Sequence, residues 1–541
     1  MEDLRQYALR AVGWNDCRLE RSQIPTIDDL HAFPVNEDDP YVTTNGDMVQ
    51  AEALYRSGDF GRAQAIAESL LKREPGNVVA LNFIEEIAFS TGVFASAISC
   101  FRGGVAAKPA DATLFYKLGC LLEADGDLQG ALDAYRVALR LNPAFAKAHN
   151  NVGATLQKTG NLGEALRSFA TALQLDQDLW QAHYNIGNLH KAEGRLGDAV
   201  VPFQQAMRLR RAPGATASPN SGAMFEGTSG TKLAHDIEQL TYLLDRGLIS
   251  VTHAPAVAAL KRALHELTPQ FESTPAPAFP KAMQAAAAPY YNRLLYLYDA
   301  PMLSGPAVNP HLDRKRIEDD YFRSGPGVTY VDDFLTPEAL ANLRRFCLES
   351  TVWFEYLYTG GYIGASLEEG FICPLLAQIA AELPRALPRI FGDHALTHLW
   401  GYKYDSARTG IGEHADFAAV NVNFWLTPDD SNLDPDSGGL VVWDKEAPPD
   451  WDFDEFNQDP GRIRTFLQSS GARPVTVPHR QNRVVIFNSD LFHKTDSYRF
   501  RTGYLNRRIN VTFLYGYRQR SDDPLAGLNT LEGVRDGSSP H

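Results

Sequence analysis

The sequence predicts a multidomain chain in which an all-α repeat array precedes a β-rich domain with supporting helices. Two observations lead to this prediction. A period of 34 residues runs through the first two-fifths of the chain, and each period holds two apolar stripes at helical spacing. From about residue 325 the pattern changes to short β-rich runs separated by Gly, Asp, Asn and Pro.

Small residues at fixed spacing define the repeat period. In residues 111–143, apolar side chains recur at three- and four-residue steps on both sides of a central EADGD. This pattern predicts two amphipathic helices joined by a tight turn. The alanine that recurs in each period lets the paired helices approach closely, and the recurring proline ends the second helix. The periodic residues are Gly58, Gly92, Gly126, Gly160 and Gly194; Ala63, Ala97, Ala131, Ala165 and Ala199; and Pro75, Pro109 and Pro143.

The repeats resemble the tetratricopeptide repeat (TPR) family. About five copies cover residues 45–212, although the first is degenerate and the last has Arg211 where the proline is expected. The resemblance implies a solenoid whose concave face binds a protein or peptide, with a purely structural or self-associating array as the alternative. The residues that match the family in the clearest copy are Leu118, Gly119, Ala131, Tyr135, Ala138 and Pro143.

Composition divides the rest of the chain. A stretch rich in Gly, Ala, Ser and Pro follows the repeats and predicts a flexible linker. Helical periodicity then returns, and we expect these helices to cap the last repeat, which otherwise exposes an apolar face. The predicted segments are an N-terminal segment (1–44), the repeat array (45–212), the linker (213–231), a helical cap or connector (232–290), a lead-in segment (291–324), the β-rich domain (325–520) and a C-terminal tail (521–541).

Charge and cysteine content narrow the choice of partners. The net charge of −15 makes the surface acidic, so we expect no nucleic acid partner. The sequence has no run of about 18 apolar residues and no signal-peptide pattern at the start, which predicts a chain without a membrane span. The five cysteines lack CxxC spacing, which favours the reducing cytoplasm.

The β-rich domain begins with a strand and two helices. Residues 327–335 predict a strand and turn, residues 336–350 a helix with Thr336 as its cap and Pro337 in its first turn, and residues 373–387 a second helix. Five β-rich runs follow, which predicts a small barrel or sandwich with the helices packed on it. These runs are residues 397–405, 419–427, 437–444, 482–490 and 507–517.

Three residues in this domain have side chains of the types that bind iron in proteins. His414 and Asp416 are two apart, so they lie on the same side of an extended segment. His493 follows a β-rich run, 77 residues after Asp416. Two imidazoles and one carboxylate, with three positions left open, suit non-haem Fe(II). We therefore predict that these three residues are metal ligands and catalytic.

A second group of residues is suited to a dicarboxylate. On a strand, Arg508, Asn510 and Thr512 share one face, so the Arg508 guanidinium can point into the cavity of the metal. There it can pair bidentately with a dicarboxylate, while Arg507 points the other way. Tyr404, ten residues before His414, can donate its hydroxyl to the same acid.

Other polar residues near this site allow more than one interpretation. Tyr402 lies on the face of Tyr404 and is a reserve candidate for the same role. Asn423 follows the ligand pair and lines either the pocket or an interior that satisfies its own hydrogen bonds. His479 stands before a strand that lacks a following arginine at comparable spacing, which favours a position on the surface or in a loop.

Together these residues resemble the prolyl-hydroxylase-like branch of the 2-oxoglutarate oxygenases, over residues 325–518. The resemblance implies a double-stranded β-helix, a jelly-roll of the cupin type. It also implies that His414, Asp416 and His493 hold Fe(II), that Arg508 binds the distal carboxylate of 2-oxoglutarate, and that O₂ is the oxidant. An acidic and aromatic insertion near residues 445–475 departs from the family pattern. The matching residues are Tyr404, Thr409, Gly410, His414, Asp416, Gly438, Gly439, His493, Arg508 and Thr512.

Three functions are compatible with this sequence. The first is a 2-oxoglutarate-dependent dioxygenase that hydroxylates a protein or peptide recruited by the repeats. The second is an oxygenase acting on a small or carrier-bound metabolite, with the repeats used for assembly. The third is a TPR scaffold whose barrel has lost turnover. The sequence identifies neither the substrate nor the oxidised atom, nor the oligomeric state.

Overall fold

The structure is a computed structural model that describes residues 40–213, 225, 227–274, 276–323, 327–358, 360–406 and 408–518. The predicted N-terminal segment and linker therefore lie mostly outside the described residues, and the C-terminal tail and the predicted start of the β-rich domain at residue 325 lie wholly outside them. The chain divides into two compact units between Leu189 and His190. None of the helices described here has the length and apolar character to cross a membrane.

Paired helices make up the repeat array. The helices are α1 (Pro40–Arg56), α2 (Phe60–Arg73), α3 (Val78–Thr91), α4 (Ala95–Ala107), α5 (Ala112–Asp125), α6 (Leu128–Leu141), α7 (Ala146–Lys158), α8 (Leu162–Leu175), α9 (Trp180–Ala192) and α10 (Leu196–Arg211). Every predicted period thus contains two helices. The boundary between the two units falls inside α9, so α10 belongs to the second unit.

The periodic glycines and alanines have separate structural roles. Each glycine lies between the two helices of a pair with φ between 70° and 93°, a left-handed conformation that favours glycine. The alanines are at most 1% exposed. Their small side chains let the paired helices pack closely, as the sequence predicted.

Helix α10 forms ion pairs with an acidic residue in a turn of the same unit. Arg210 and Arg211 each donate to Glu369, at 2.8 and 2.9 Å. Burial raises the pKa of Glu369, but the two guanidinium groups outweigh this effect and lower the pKa to about 2. Position 211, where the repeat pattern calls for proline, therefore has a charge contact instead. The last repeat helix is part of the same compact unit as the β-rich region.

Two antiparallel sheets form the β-rich region. A six-stranded sheet has the order β1-β7-β4-β9-β3-β2, and a three-stranded sheet has the order β6-β5-β8. Trp425, Val485 and Phe487 of the first sheet share one apolar core with Leu440 and Val442 of the second. The strands are β1 (Val328–Val331), β2 (Tyr362–Ser366), β3 (Leu396–Tyr404), β4 (Val420–Trp425), β5 (Leu440–Glu446), β6 (Pro474–Val477), β7 (Val484–Asn488), β8 (Leu491–Thr495) and β9 (Ile509–Tyr515).

Helices support the six-stranded sheet. Thr336 caps α15, as predicted, by accepting a hydrogen bond from the Ala339 amide. A Cβ added at Gly401 in β3 would come within 2.3 Å of Phe371, so glycine lets the supporting segment lie close to this strand. The supporting helices are α14 (Arg314–Arg323), α15 (Pro337–Glu349), α16 (Pro374–Ala386) and the short α17 (Pro388–Phe391). The insertion contains a further helix, α18 (Pro460–Ser469).

The connector helices pack on the β-rich region. They are α11 (Gly230–Asp245), α12 (Ala254–Leu267) and α13 (Lys281–Ala287). Gln239 of α11 donates to the carbonyls of Leu348 and Ser350, and Glu238 pairs with Arg507. These contacts tie α11 to the β-rich region.

The predicted end of the linker was too late in the sequence. Helix α11 begins at Gly230, and the Ser229 hydroxyl caps it by accepting from the Lys232 amide. Phe225 and Thr228 are already buried, the first in the apolar core of the connector. The sequence missed this because a few apolar residues within a Gly- and Ser-rich stretch do not indicate what they will pack against.

Candidate functional site

The three predicted metal ligands come together in the second unit. His414 and Asp416 lie in the segment between β3 and β4, and His493 lies on β8. One ligand atom from each of the three side chains lies within 4.8 Å of the others. The main chains of His414 and His493 also exchange two hydrogen bonds, of 3.0 and 2.8 Å, which hold the two histidines side by side.

Both imidazoles present the same nitrogen to the carboxylate. Nε2 of His414 lies 3.7 Å from Asp416 Oδ1, and Nε2 of His493 lies 3.4 Å from Asp416 Oδ2. Each Nδ1 instead faces a backbone carbonyl, of Gly412 at 2.9 Å and of Leu491 at 3.0 Å. A backbone acceptor at Nδ1 fixes the tautomer that leaves Nε2 free to bind a metal.

The protonation states also suit a metal. Burial and the neighbouring His493 lower the pKa of His414 to about 4, so its imidazole is neutral at physiological pH. Burial of Asp416 favours the acid, but the two imidazoles beside the carboxylate outweigh burial and lower its pKa. The set therefore offers a neutral nitrogen from His414 and a carboxylate oxygen, the forms that coordinate divalent metals.

A chain of side-chain hydrogen bonds leads from Asp416 across the sheet. Asn421 donates to Asp416 Oδ2 at 2.6 Å and accepts from Asn423. The Asn423 carbonyl in turn accepts from Asn510 and Thr512 on β9, both at 2.8 Å. The predicted cofactor-binding residues Asn423 and Thr512 are thus hydrogen-bonded to each other and help to hold Asp416 through Asn421. The side-chain oxygen of Asn510 has no partner in the described chain.

Arg508 lies on the same interior face, immediately before β9. It is 1% exposed, and its guanidinium carbon lies 4.5 Å from the centre of the Tyr404 ring. Nε donates to the Gly438 carbonyl at 2.7 Å and Nη2 to the Gly439 carbonyl at 3.0 Å. Nη1 is buried and has no hydrogen-bond partner among the described residues. The guanidinium is therefore held in place with one nitrogen left to bind a ligand.

The neighbouring arginine faces the opposite way. Arg507 pairs with Glu238 at 2.6 Å and Asp405 at 2.7 Å, on the side of the connector helices. This arrangement follows the alternation of side chains along a strand that the sequence predicted. Tyr402, the reserve candidate, lies opposite Asn510 on β3 and shares the interior face.

Three buried polar residues near Arg508 were missed as site residues. His479 lies in the loop between β6 and β7, one of the two positions expected for it, but it is buried, with 5% of its surface exposed. Within the described chain, both of its ring nitrogens lack partners, and so do Trp425 Nε1 and the Tyr498 hydroxyl. The alternation of Asn421, Asn423 and Trp425 along the sequence could have identified Trp425, but no local pattern around His479 or Tyr498 indicates burial.

The insertion packs against the segments that carry the metal ligands. Ala415, between the first two ligands, donates its amide to the Phe456 carbonyl at 2.9 Å. The Asn457 side chain donates to the Ala415 carbonyl at 2.8 Å. Ala415 and Phe492, which precedes His493, both belong to the apolar core of the insertion with Trp451. The insertion therefore contacts both segments that supply ligands.

Removing the Asn457 side chain should weaken metal binding without unfolding the protein. In Asn457→Ala the Ala415 carbonyl loses its donor, and the segment carrying His414 and Asp416 gains freedom. We expect affinity for Mn(II) or Fe(II) to fall about tenfold, the lower end of the range for residues that orient ligands. Calorimetric titration measures the change, and Gln468→Ala, an exposed position on α18, is the matched control. Equal affinities in the two variants would show that the insertion does not position the ligands.

Comparison with known proteins bears on the repeats. Residues 122–160 match the family described as TPR repeat, and residues 153–216 match the family described as tetratricopeptide repeat. No curated protein matches the chain significantly.

Among solved structures, the chain is similar to MamA, with 24% identity over 29% of this chain and 92% of that chain, at a TM-score of 0.26. It is similar to a thermophilic TPR protein of Thermus thermophilus, with 24% identity over 30% and 89% and a TM-score of 0.26. It is also similar to YrrB, a TPR protein with an unusual peptide-binding site, with 24% identity over 30% and 83% and a TM-score of 0.25. The N-terminal part of this chain is thus a helical array of tetratricopeptide repeats, followed by a separate β-rich region.

Proposed function

We propose that the β-rich region is an Fe(II)- and 2-oxoglutarate-dependent dioxygenase with a double-stranded β-helix fold. One observation carries the proposal. A set of two histidines and one carboxylate shares an interior face with Arg508, whose Nη1 is buried without a partner in the described chain. Side-chain hydrogen bonds from Asp416 through Asn421 and Asn423 to Asn510 connect the two parts of the site.

The donor set is compatible with iron. His414, Asp416 and His493 offer two nitrogens and one carboxylate, which is the ligand set of non-haem Fe(II) oxygenases. Structural zinc sites are usually closed by four protein ligands, and only these three were found together in the described residues. A set of three leaves positions for a co-substrate and for dioxygen.

The environment of Arg508 supports 2-oxoglutarate as the co-substrate. An arginine buried without a carboxylate partner is costly, and an anion would compensate the charge. The ring of Tyr404 under the guanidinium and the bonds to Gly438 and Gly439 hold the donor rigidly. A dicarboxylic oxo acid would pair one carboxylate with this guanidinium and offer its other end to the metal.

The protein's own residues position the reactants and keep water away. When bound, iron, 2-oxoglutarate and dioxygen supply the oxidising chemistry, with succinate and carbon dioxide as by-products. His414, Asp416 and His493 hold the metal, and Arg508 orients the co-substrate. Trp425 and Phe487 belong to the apolar core shared by the two sheets. This core excludes water from one side of the site.

The repeats favour a protein or peptide substrate. TPR arrays generally bind proteins or peptides, and here the array continues into helix α10, which is part of the same compact unit as the site. Arg210 and Arg211 tie that helix to Glu369, beside the end of β2. A substrate recruited by the repeats would therefore be held by the same chain that oxidises it.

Succinate release tests this function. Full-length protein with Fe(II), 2-oxoglutarate and oxygen should form succinate slowly alone, and faster when a peptide fraction of cell extract is added. Small-molecule fractions should give no such stimulation, because the substrate is a protein or peptide. Stimulation by metabolites alone would favour the metabolite oxygenase. Absence of succinate with every extract would favour a scaffold without turnover.

A further inference from the structure

We infer that His479 and Trp425 complete, with Arg508, a buried pocket that binds the distal carboxylate of the co-substrate. His479 then acts as a neutral positioning residue that donates a hydrogen bond. This inference rests on the proposed function for the identity of the ligand. It goes beyond the arginine and tyrosine that the family resemblance implies, and it gives a role to a histidine outside the metal set.

The first support is a concentration of unsatisfied polar atoms. His479, Trp425 and Arg508 are 5%, 0% and 1% exposed. Both ring nitrogens of His479, Nε1 of Trp425 and Nη1 of Arg508 have no hydrogen-bond partner in the described chain. Leaving a buried polar group without a hydrogen-bond partner is costly, so proteins rarely leave several together. A bound anion would accept hydrogen bonds from one ring nitrogen of His479, from Nε1 of Trp425 and from Nη1 of Arg508 at once.

The second support is that the three groups are neighbours. The Arg508 guanidinium carbon lies 5.7 Å from the centre of the Trp425 ring, and the rings of Trp425 and His479 are 5.6 Å apart. Phe500 packs edge-on against His479 at 5.0 Å and limits rotation of the imidazole. A fourth group without a partner among the described residues, the Tyr498 hydroxyl, belongs to a ring 6.0 Å from the same guanidinium.

The backbone around the pocket leaves only part of Arg508 available. Two of its nitrogens bind the carbonyls of Gly438 and Gly439, so Nη1 is the nitrogen left without a partner in the described chain. A Cβ at Gly439 would lie 1.9 Å from the Val477 carbonyl and 2.8 Å from the His479 amide. Glycine at this position therefore lets the chain before β7 approach closely and brings His479 next to Arg508.

Electrostatics agree with a neutral donor. Burial, and then the charges of Arg508 and Arg483, lower the pKa of His479 to about 3. Arg483 is already paired with Asp332 at 2.6 Å. At physiological pH the imidazole is neutral and can donate through one nitrogen. One carboxylate is then neutralised by Arg508 alone, and His479 and Trp425 add directional hydrogen bonds without a second charge.

Binding of 2-oxoglutarate to Mn(II)-loaded full-length protein tests the pocket. His479→Leu removes the donor and keeps an apolar side chain, so we expect dissociation constants about 10- to 100-fold higher. His479→Gln keeps a donor and should retain most of the affinity. Mn(II) affinity should be unchanged in both, because His479 is not a ligand. The matched control is His311→Leu, at an exposed histidine.

A second variant and a second probe keep the outcomes separate. Trp425→Phe removes only an N–H and part of a ring, and it should also weaken the binding of 2-oxoglutarate. This variant therefore tests the pocket even if His479→Leu does not fold. Glutarate has both carboxylates but no oxo group to chelate a metal, so its binding without metal reports on the pocket alone. Loss of glutarate binding in His479→Leu upholds the pocket even if the oxygenase proposal fails.

Two results would overturn the inference. The first is equal affinity of wild-type protein and His479→Leu for 2-oxoglutarate, which would leave the oxygenase proposal intact and remove His479 from the pocket. The second is wild-type protein that binds neither glutarate nor 2-oxoglutarate, which would reject the pocket and the proposed function together.

Discussion

Replacing Asp416 by alanine is expected to abolish Fe(II) binding at the site formed with His414 and His493. Asp416 supplies the only carboxylate of the set, and its two oxygens face the Nε2 atoms of both histidines, at 3.7 and 3.4 Å. Two neutral imidazoles alone bind a divalent ion weakly. The loss should exceed the 10- to 100-fold that follows from changing residues which only orient ligands. Anaerobic calorimetric titration with Fe(II), or with Mn(II) as a stable substitute, measures it.

The control for Asp416→Ala must separate metal loss from unfolding. The variant also leaves the Asn421 amide without its acceptor, which should cost about 1 to 3 kcal/mol of stability. Thermal unfolding without metal measures that cost. The matched control is Asp436→Ala, which also removes one carboxylate but at an exposed loop position. A folded Asp416→Ala protein with wild-type metal affinity would defeat the assignment of the site.

Replacing Arg508 by alanine should raise the concentration of 2-oxoglutarate required for turnover by about 100-fold or more. The variant removes the positive charge and the hydrogen bond that Nη1 would donate to the co-substrate. A hydrogen bond to a charged group contributes about 1.5 to 3 kcal/mol. Metal affinity should change little, because Arg508 does not contact the ligands. The measurement is the dependence of succinate formation on 2-oxoglutarate, with equilibrium binding to the Mn(II)-loaded protein beside it.

Two further variants make the Arg508 result specific. Arg508→Ala also takes donors from the carbonyls of Gly438 and Gly439, so lower stability is expected. Arg508→Lys keeps the charge but loses the planar fork and should give an intermediate requirement. Arg507→Ala breaks the ion pairs to Glu238 and Asp405 and should reduce stability, while the 2-oxoglutarate requirement stays near that of wild type. The reverse result would assign the role to Arg507.

Local rules predicted much of the fold. A left-handed turn at Gly126 and a close helix contact at Ala131 depend on backbone conformation and side-chain size, which a single sequence displays. Strand alternation placed Arg508 on one face and Arg507 on the other, because the period of a strand is strict. The pairing of His414 with Asp416 followed from the same rule.

Long-range packing explains what the sequence did not reveal. The burial of His479 depends on Gly439 and Phe500, which are distant in sequence and lack any common pattern with it. The sequence showed the insertion only as a departure from the family pattern, and its contact with Ala415 arises only when the chain folds. Strands β2, β6 and β8 were missed as well, since each has at most five residues and offers little alternation.

One anaerobic titration tests the central claim that a single site binds Fe(II) and 2-oxoglutarate together. An oxo acid that chelates Fe(II) gives a visible charge-transfer absorption that neither component gives alone. Adding 2-oxoglutarate to the Fe(II)-loaded full-length protein should produce this absorption, which saturates at one equivalent per chain and is absent in Asp416→Ala. Tight Fe(II) binding with no absorption change on saturation with 2-oxoglutarate would contradict the account.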